Sequence, residues 1–345
     1  MTGPHSPERE PPQTGKRCFC AVRDGIWLCN VVAIAALVVV TIMSLFAENF
    51  WLCDLSANLR VQWLLGLIAT AFVTSVYRRW RWLLPQVVLL AVHLPFFESV
   101  VQQKSDHAMT AAITVTTANV FTSNANYVGV EAELQSADAD VIAVLELSSG
   151  LRKHLANVFQ HDYPFSLVDS QDNGNFGIGL YSRYEFESAK LTYFNDESIQ
   201  SIVAVLTVNG QRFQLMATHA LPPIGERGFS HRNRHLKLLA KEVKSLQKQA
   251  PGVPVIVVGD LNLTPWSPVF AEFAHAAGLH RASQSFDCTP TWYQHPMFPF
   301  GLVLDHVLTT HELSCSSYAV GTDVGSDHRF VTVCLGVIPG SVSPD

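Results

Sequence analysis

Apolar residues crowd into three long runs before residue 100 and break into short stretches after it. Gly25 to Ala47 is 23 residues without a charge, bounded by Asp24 and Glu48. A helix needs about 20 apolar residues to cross a bilayer core, so this run is long enough. Val61 to Tyr77 gives 17 uncharged residues between Arg60 and Arg78. Trp82 to Phe97 gives 16, with Pro85, His93 and Pro95 inside it. The pattern predicts a bundle of two or three transmembrane helices over 25–47, 61–77 and 82–97, after a tail of 1–24. A cleaved signal peptide fits the first run poorly, because it is too long, lacks a small-residue cleavage site and is followed by further apolar runs.

Residues 98–111 are polar and read as a linker. Beyond them the period changes. Ala112–Val120, Val141–Leu147, Phe176–Ser182, Ile202–Val208, Phe213–Thr218, Val253–Val258, Leu302–Thr309 and Phe330–Leu335 read as strands. Tyr127–Ser136, Leu151–Phe159, Arg232–Gln249 and Ser267–Ala277 read as helices. Several strands are continuous apolar runs, which implies cover on both faces. Two packed sheets with helices outside would supply it, an α/β four-layer sandwich over 112–336, followed by a short tail, 337–345.

Charge adds direction. The tail carries Arg9, Lys16, Arg17 and Arg23, and the loop between the second and third runs carries Arg78, Arg79 and Arg81. The loop between the first two runs has Arg60 against Glu48 and Asp54. By the positive-inside rule the tail and the Arg-rich loop face the cytoplasm. Three spans then put the C-terminal domain outside a bacterial inner membrane, in the periplasm; two leave it cytoplasmic. From Ser105 onward there are 14 Lys and Arg against 23 Asp and Glu, a net charge of −9. Nonspecific nucleic-acid binders draw affinity from a basic surface, so this balance disfavours nucleic acid as the partner. Cys288, Cys315 and Cys334 are either buried thiols or, outside the cell, include one bridge such as Cys288 to Cys315.

Candidate chemistry gathers at strand ends. Asn119 closes one strand and Glu146 another, Asp260 and Asn262 follow Val253–Val258, Asp305 sits in LDHVL, and Asp327 and His328 precede the last strand. Carboxylates among Val, Leu and Ile need a partner, since an unpaired buried charge is expensive. A divalent cation is one, and oxygen donors select Mg²⁺, Mn²⁺ or Ca²⁺ over Zn²⁺.

These motifs, TANVF, the Glu146 strand, THALPP, GDLN, LDHVL and SDH, resemble the endonuclease/exonuclease/phosphatase family over about residues 112–336. The resemblance implies the four-layer sandwich and metal-assisted attack of water on a phosphate ester. It further implies Glu146, Asn119 and Asp327 at the metal, His219 and Asn262 on the phosphoryl oxygens, and Asp260 on the attacking water. Asp305 would orient His328, whose role as base, acid or phosphate clamp stays open. Asn175 falls in the family's central strand motif. Leu145 stands where many members have Gln, and Phe121 where some nucleases carry a second carboxylate, which points to one metal rather than two.

Two further features are candidate substrate contacts. Arg232 and Arg234 lie at a helix start near THALPP, and Trp292 lies in the uncharged, Pro-rich stretch Cys288–Leu304. The expectation is a membrane-anchored, Mg²⁺-dependent phosphoesterase acting on a lipid or small phosphodiester. The alternatives are a metal-dependent nuclease and an inactive binding scaffold.

Overall fold

A computed structural model describes residues 14–100, 110–194, 199–283, 287–294 and 301–338. It splits into two compact units, Met1–Ile42 with Val61–His93, and Met43–Arg60 with Leu94–Asp345.

The first unit is helical. It is built from α1 (Thr14–Ser44), whose last residues pass into the second unit, α3 (Arg60–Val76) and α4 (Leu83–His93); a short helix between the first two, α2 (Trp51–Asn58), belongs to the second unit. Leu37, Leu67 and Leu89 form its core. Its buried polar side chains pair across helices: the Asn30 and Gln86 amides both donate to Thr74 Oγ1 at 3.1 Å, and Thr41 lies 3.0 Å from His93. Such pairing is what an apolar surround demands of polar groups. Ala21–Ser44 and Trp80–Phe97 are each long and apolar enough to cross a membrane. α2 and α3 pass the same test only together, across a 63° bend.

The second unit is an α/β sandwich of two six-stranded mixed sheets. Its strands are β1 (Thr110–Asn119), β2 (Val141–Leu145), β3 (Phe165–Asp169), β4 (Ile178–Ser182), β5 (Phe186–Tyr193), β6 (Gln200–Val208), β7 (Gln211–His219), β8 (Val255–Asp260), β9 (His280–Arg281), β10 (Asp305–Thr309), β11 (Leu313–Val320) and β12 (Val331–Val337). One sheet runs β11-β12-β1-β2-β4-β3 and the other β5-β6-β7-β8-β10-β9. Between them lies a dry core that includes Ile113, Val115, Ala143, Leu180, Leu206, Leu215, Val258 and Val333. Helices α5 (Tyr127–Ser136) and α6 (Ser149–Val158) cover the outer face of the first sheet, burying Val130, Leu134, Leu151 and Leu155. Helices α7 (Gly225–Gln249) and α8 (Pro268–Ala277) cover the second through Leu236, Leu239, Val243 and Phe273. The apolar strands are therefore continuous runs because both their faces are covered.

Two differences from the sequence pattern have local causes. α7 begins at Gly225 rather than Arg232, because its first turns are polar and carry no apolar period. β2 stops at Leu145, because Glu146 turns into the left-handed region at φ 58°. Of the two readings of Cys288, Cys315 and Cys334, the structure has free thiols. Phe298 and Phe300, read with the Cys288–Leu304 stretch, lie outside the described residues.

Candidate active site

Register brings the polar strand ends together. In the second sheet β7 pairs in parallel with β8 so that His219 lies opposite Asp260. β10 pairs antiparallel with β8 so that Asp305 lies opposite Asp260 from the other side. His219, Asp260 and Asp305 thus form a row across three neighbouring strands. Gly259 permits this closeness: it holds φ 141°, and a Cβ there would lie 1.8 Å from the Thr218 carbonyl oxygen. In the first sheet Asn119 ends β1 opposite Leu145, one residue before Glu146. Asp327 and His328 lie four and three residues before β12, which pairs with β1.

The side chains meet across the two sheets. The Asn119 amide nitrogen donates to Glu146 Oε1 at 3.0 Å and to Asp260 Oδ2 at 3.3 Å. Its oxygen accepts from the Phe121 N–H at 3.2 Å. Asn119 therefore bridges two carboxylates. His219 Nε2 lies 3.4 Å and His328 Nε2 3.7 Å from Asp260 Oδ2. His328 Nδ1 lies 2.8 Å from Asp305 Oδ2. Trp292 Nε1 donates to Asp327 Oδ2 at 3.0 Å. Asn262 donates its backbone N–H to Asp260 Oδ1 at 2.8 Å and its amide to the Ala220 carbonyl at 2.9 Å.

Burial and charge set the protonation pattern. Burial alone would lower His328, but the Asp305 and Asp260 carboxylates outweigh it and raise it to about 10. Burial likewise opposes the charge on His219, and the contact with Asp260 raises it. Burial would raise Asp260, yet His328, His219 and the Asn262 N–H hold it below the usual carboxylate range. The Asp305 and Asp260 carboxylates thus favour the charged form of the His328 ring, while burial pushes Asp305 itself up.

A cavity of about 470 Å³ opens at this point. Glu146, Asp260, Asp327, His219, His328, Asn262, Asn175 and Trp292 all line it. Four non-glycine residues on its wall have positive φ: Phe121 (61°), Glu146 (58°), Asn175 (60°) and Asn262 (49°). Asn tolerates that region and Phe and Glu seldom do, a pattern found where side chains are aimed for function. Arg232 is elsewhere. Its side chain is fully buried, 2.8 Å from Asp54, and its Nη1 donates to the Asn262 carbonyl at 2.9 Å. The direct substrate contact expected of it is replaced by a supporting one.

The wall fits a divalent cation. It carries three carboxylates, and among the described residues no Lys or Arg lines it. Oxygen donors of this kind suit a hard cation. Among the described residues the ligand atoms of Asp260, Asp305 and His328 also lie within 4.8 Å of one another. The His328 and Asp305 atoms of that group engage each other at 2.8 Å.

The family model for the endonuclease/exonuclease/phosphatase family matches residues 116–328, which spans every residue of this set. The chain belongs to that family. Family membership makes it a divalent-metal-dependent phosphoric ester hydrolase. Solved structures agree on the fold. Sphingomyelinase C from Streptomyces griseocarneus is 19% identical, covers 65% of this chain and 99% of its own, and has a TM-score of 0.51. D. rerio TDP2, complexed with a single-strand DNA product, is 19% identical over 66% of this chain and 100% of its own, at 0.55. A family protein from Bacteroides thetaiotaomicron is 16% identical over 70% and 100%, at 0.56. No curated protein sequence matches the chain.

Sequence reasoning missed part of the cavity. Leu55 and Asn58 of α2, together with Phe176, Pro222, Pro223, Ile224 and Leu302, also line it. Its one available signal for α2 was Asp54, an acid within an otherwise apolar stretch.

Proposed function

We propose that this chain is a membrane-anchored phosphoesterase that uses Mg²⁺ to hydrolyse a lipid phosphoester or other small phosphodiester by in-line attack of water. Mn²⁺ and Ca²⁺ are the alternatives the same oxygen donors accept. The observation that carries the reading is the cavity wall: three carboxylates, two histidines, no Lys or Arg among the described residues, and an apolar rim that includes Phe121, Phe176, Ile224 and Trp292. An extended nucleic acid needs cationic side chains along its backbone; a substrate with one phosphate and an apolar arm does not.

Glu146 and Asp327 would hold the cation, with Asn119 and Trp292 fixing their carboxylates. When bound, the cation neutralises phosphate charge and polarises a phosphoryl oxygen. Asp260, kept ionised, would accept the proton of the attacking water. His219 and the cationic His328 would donate to the developing oxyanions, aided by Asn262. Asp305 fixes the His328 ring and supports its charge. Asn175 would touch the substrate from the opposite wall.

Anchoring rests on the apolar segments 25–47, 61–77 and 82–97. Met43–Arg60, the link between the first two, belongs to the same compact unit as the catalytic residues. That favours three crossings, with the catalytic domain on the side opposite the basic tail, extracytoplasmic in a bacterial cell.

The test uses the full chain in detergent with Mg²⁺, offered bis(p-nitrophenyl) phosphate, phospholipid vesicles and plasmid DNA. Turnover of the first or second is expected, with Asp260→Ala and His328→Ala each lowering kcat by about 10²–10⁴-fold. Plasmid nicking alone would make it a nuclease. No turnover of any substrate would leave a binding scaffold.

A further inference from the structure

Helix α2 lies in sequence between two apolar segments, yet it is built into the catalytic unit. Asp54 and Arg232 form an ion pair at 2.8 Å in which both side chains are fully buried. Burial pushes the Asp54 carboxyl up and the Arg232 guanidinium down, each against the pull of the other. A pair held at that desolvation cost is weak evidence for stability as such, so its geometry matters more. The Arg232 guanidinium continues to the Asn262 carbonyl at 2.9 Å. Asn262 in turn holds Asp260 through its own N–H.

Asn58 adds a second tether. Its side-chain oxygen accepts from the Thr264 N–H at 2.8 Å and the Thr264 hydroxyl at 2.9 Å, and its carbonyl accepts from Trp266 Nε1 at 2.8 Å. Its amide nitrogen donates back to the Asp54 carbonyl at 2.9 Å. The loop from Asn262 to Trp266 is therefore tied to one short helix directly at Thr264 and Trp266, and at Asn262 through Arg232. Its further ties include His306 Nε2 to the Leu263 carbonyl at 2.7 Å and the Asn262 amide to the Ala220 carbonyl. Leu55, between the two polar anchors, lines the cavity beside Asp260 and Asn262.

We propose that α2 is a working part of the active site: Asp54 and Asn58 are positioning residues for the loop that carries Asp260 and Asn262, and Leu55 is a specificity-determining wall for the apolar arm of the substrate. This rests on the phosphoesterase reading. The link between two membrane segments thus sets both the alignment of the water-activating carboxylate and the kind of substituent the phosphate can carry.

The experiment uses the full chain in lipid nanodiscs with Mg²⁺ and two probes, p-nitrophenyl methyl phosphate and p-nitrophenyl dodecyl phosphate. Asp54→Asn is expected to lower kcat on the methyl diester at least tenfold while KM moves less than threefold. Hydrogen exchange at residues 261–266 should speed up in the same variant. The uncharged pair Asp54→Asn with Arg232→Met should recover melting temperature but not kcat, because the Asn262 carbonyl still lacks its donor. Leu55→Ala should narrow the KM ratio between the two probes at least threefold. The proposal is overturned if kcat returns together with melting temperature, if Asp54→Asn keeps full kcat, or if the KM ratio does not move. Should the wild type hydrolyse neither probe, the phosphoesterase reading falls. Exchange then still decides the positioning claim: faster exchange at 261–266 supports it and unchanged exchange overturns it.

Discussion

His328 shows how much of this site is electrostatics between neighbours. Asp305, 2.8 Å from Nδ1, and Asp260, facing Nε2, favour its charged form. Replacing Asp305 by Asn keeps the shape and removes the charge. The His328 pKa should then fall from about 10, and the alkaline limb of the kcat/KM profile should move to lower pH with it. The rate at the optimum should drop by about 10²-fold, and a pH–rate comparison of the two proteins would reveal both effects. A profile that kept its alkaline limb would mean that His328 does not act as the cation. Most of the polar site was legible in the sequence, because Glu146, Asp260, Asp305, Asp327 and His328 each stand where an apolar run ends. Arg232 was not: a helix-start arginine near a catalytic motif looks the same whether it faces phosphate or, as here, a buried aspartate 178 positions upstream, Asp54.

At the scale of elements, the pattern found β1, β2, β4, β6, β7, β8, β10 and β12, which sit inside the two sheets. The strands it missed, β3, β5, β9 and β11, are the four sheet edges. An edge strand has only one paired side and a half-exposed face, so β5 reads FESAKLTY and β11 reads LSCSSYAV, with no apolar run to detect. α2 escaped for a related reason: eight residues are too few for a helical period to stand out. Element packing also sets acid sensitivity. His235 of α7 touches Thr218 on β7 at 2.7 Å, and His306 of β10 reaches the Leu263 carbonyl. Burial pushes both down to about 3. Above pH 6.5 both are neutral whether folded or not, so they have no effect on stability there. Between pH 6.5 and 3 only the unfolded chain takes up the protons, so stability falls as pH falls, by about 1.4 kcal/mol per pH unit for each histidine. Thermal melts across that range should show the decline, and His235→Gln should flatten it.

At the scale of the whole molecule, Met43–Arg60 and the catalytic residues share one compact unit. Arg60, which opens α3, donates to the Ser44 carbonyl at the end of α1 and lies 3.5 Å from the ring centre of Phe96, which follows α4. These three ends belong to one compact unit, and the three crossings proposed above would leave them on one side of the membrane. A cysteine at exposed Asn49 and one at exposed Tyr193 should label from the same side of intact cells with a membrane-impermeant maleimide, in a background without native cysteines. A cysteine at Arg78 should label only after permeabilisation. Labelling of all three from one side would contradict a third crossing.

The buried partnership of Asp54 with Arg232 has a consequence for where such an enzyme can operate. A fragment beginning after the third apolar segment would keep the carboxylates and histidines of the site, yet lose Leu55 and Asn58 from its wall and seal a guanidinium in its interior without Asp54 to meet it. Shedding from the bilayer and full competence would then exclude each other. Catalysis would stay tethered to the surface that holds the polypeptide, and release by a protease would switch it off rather than spread it.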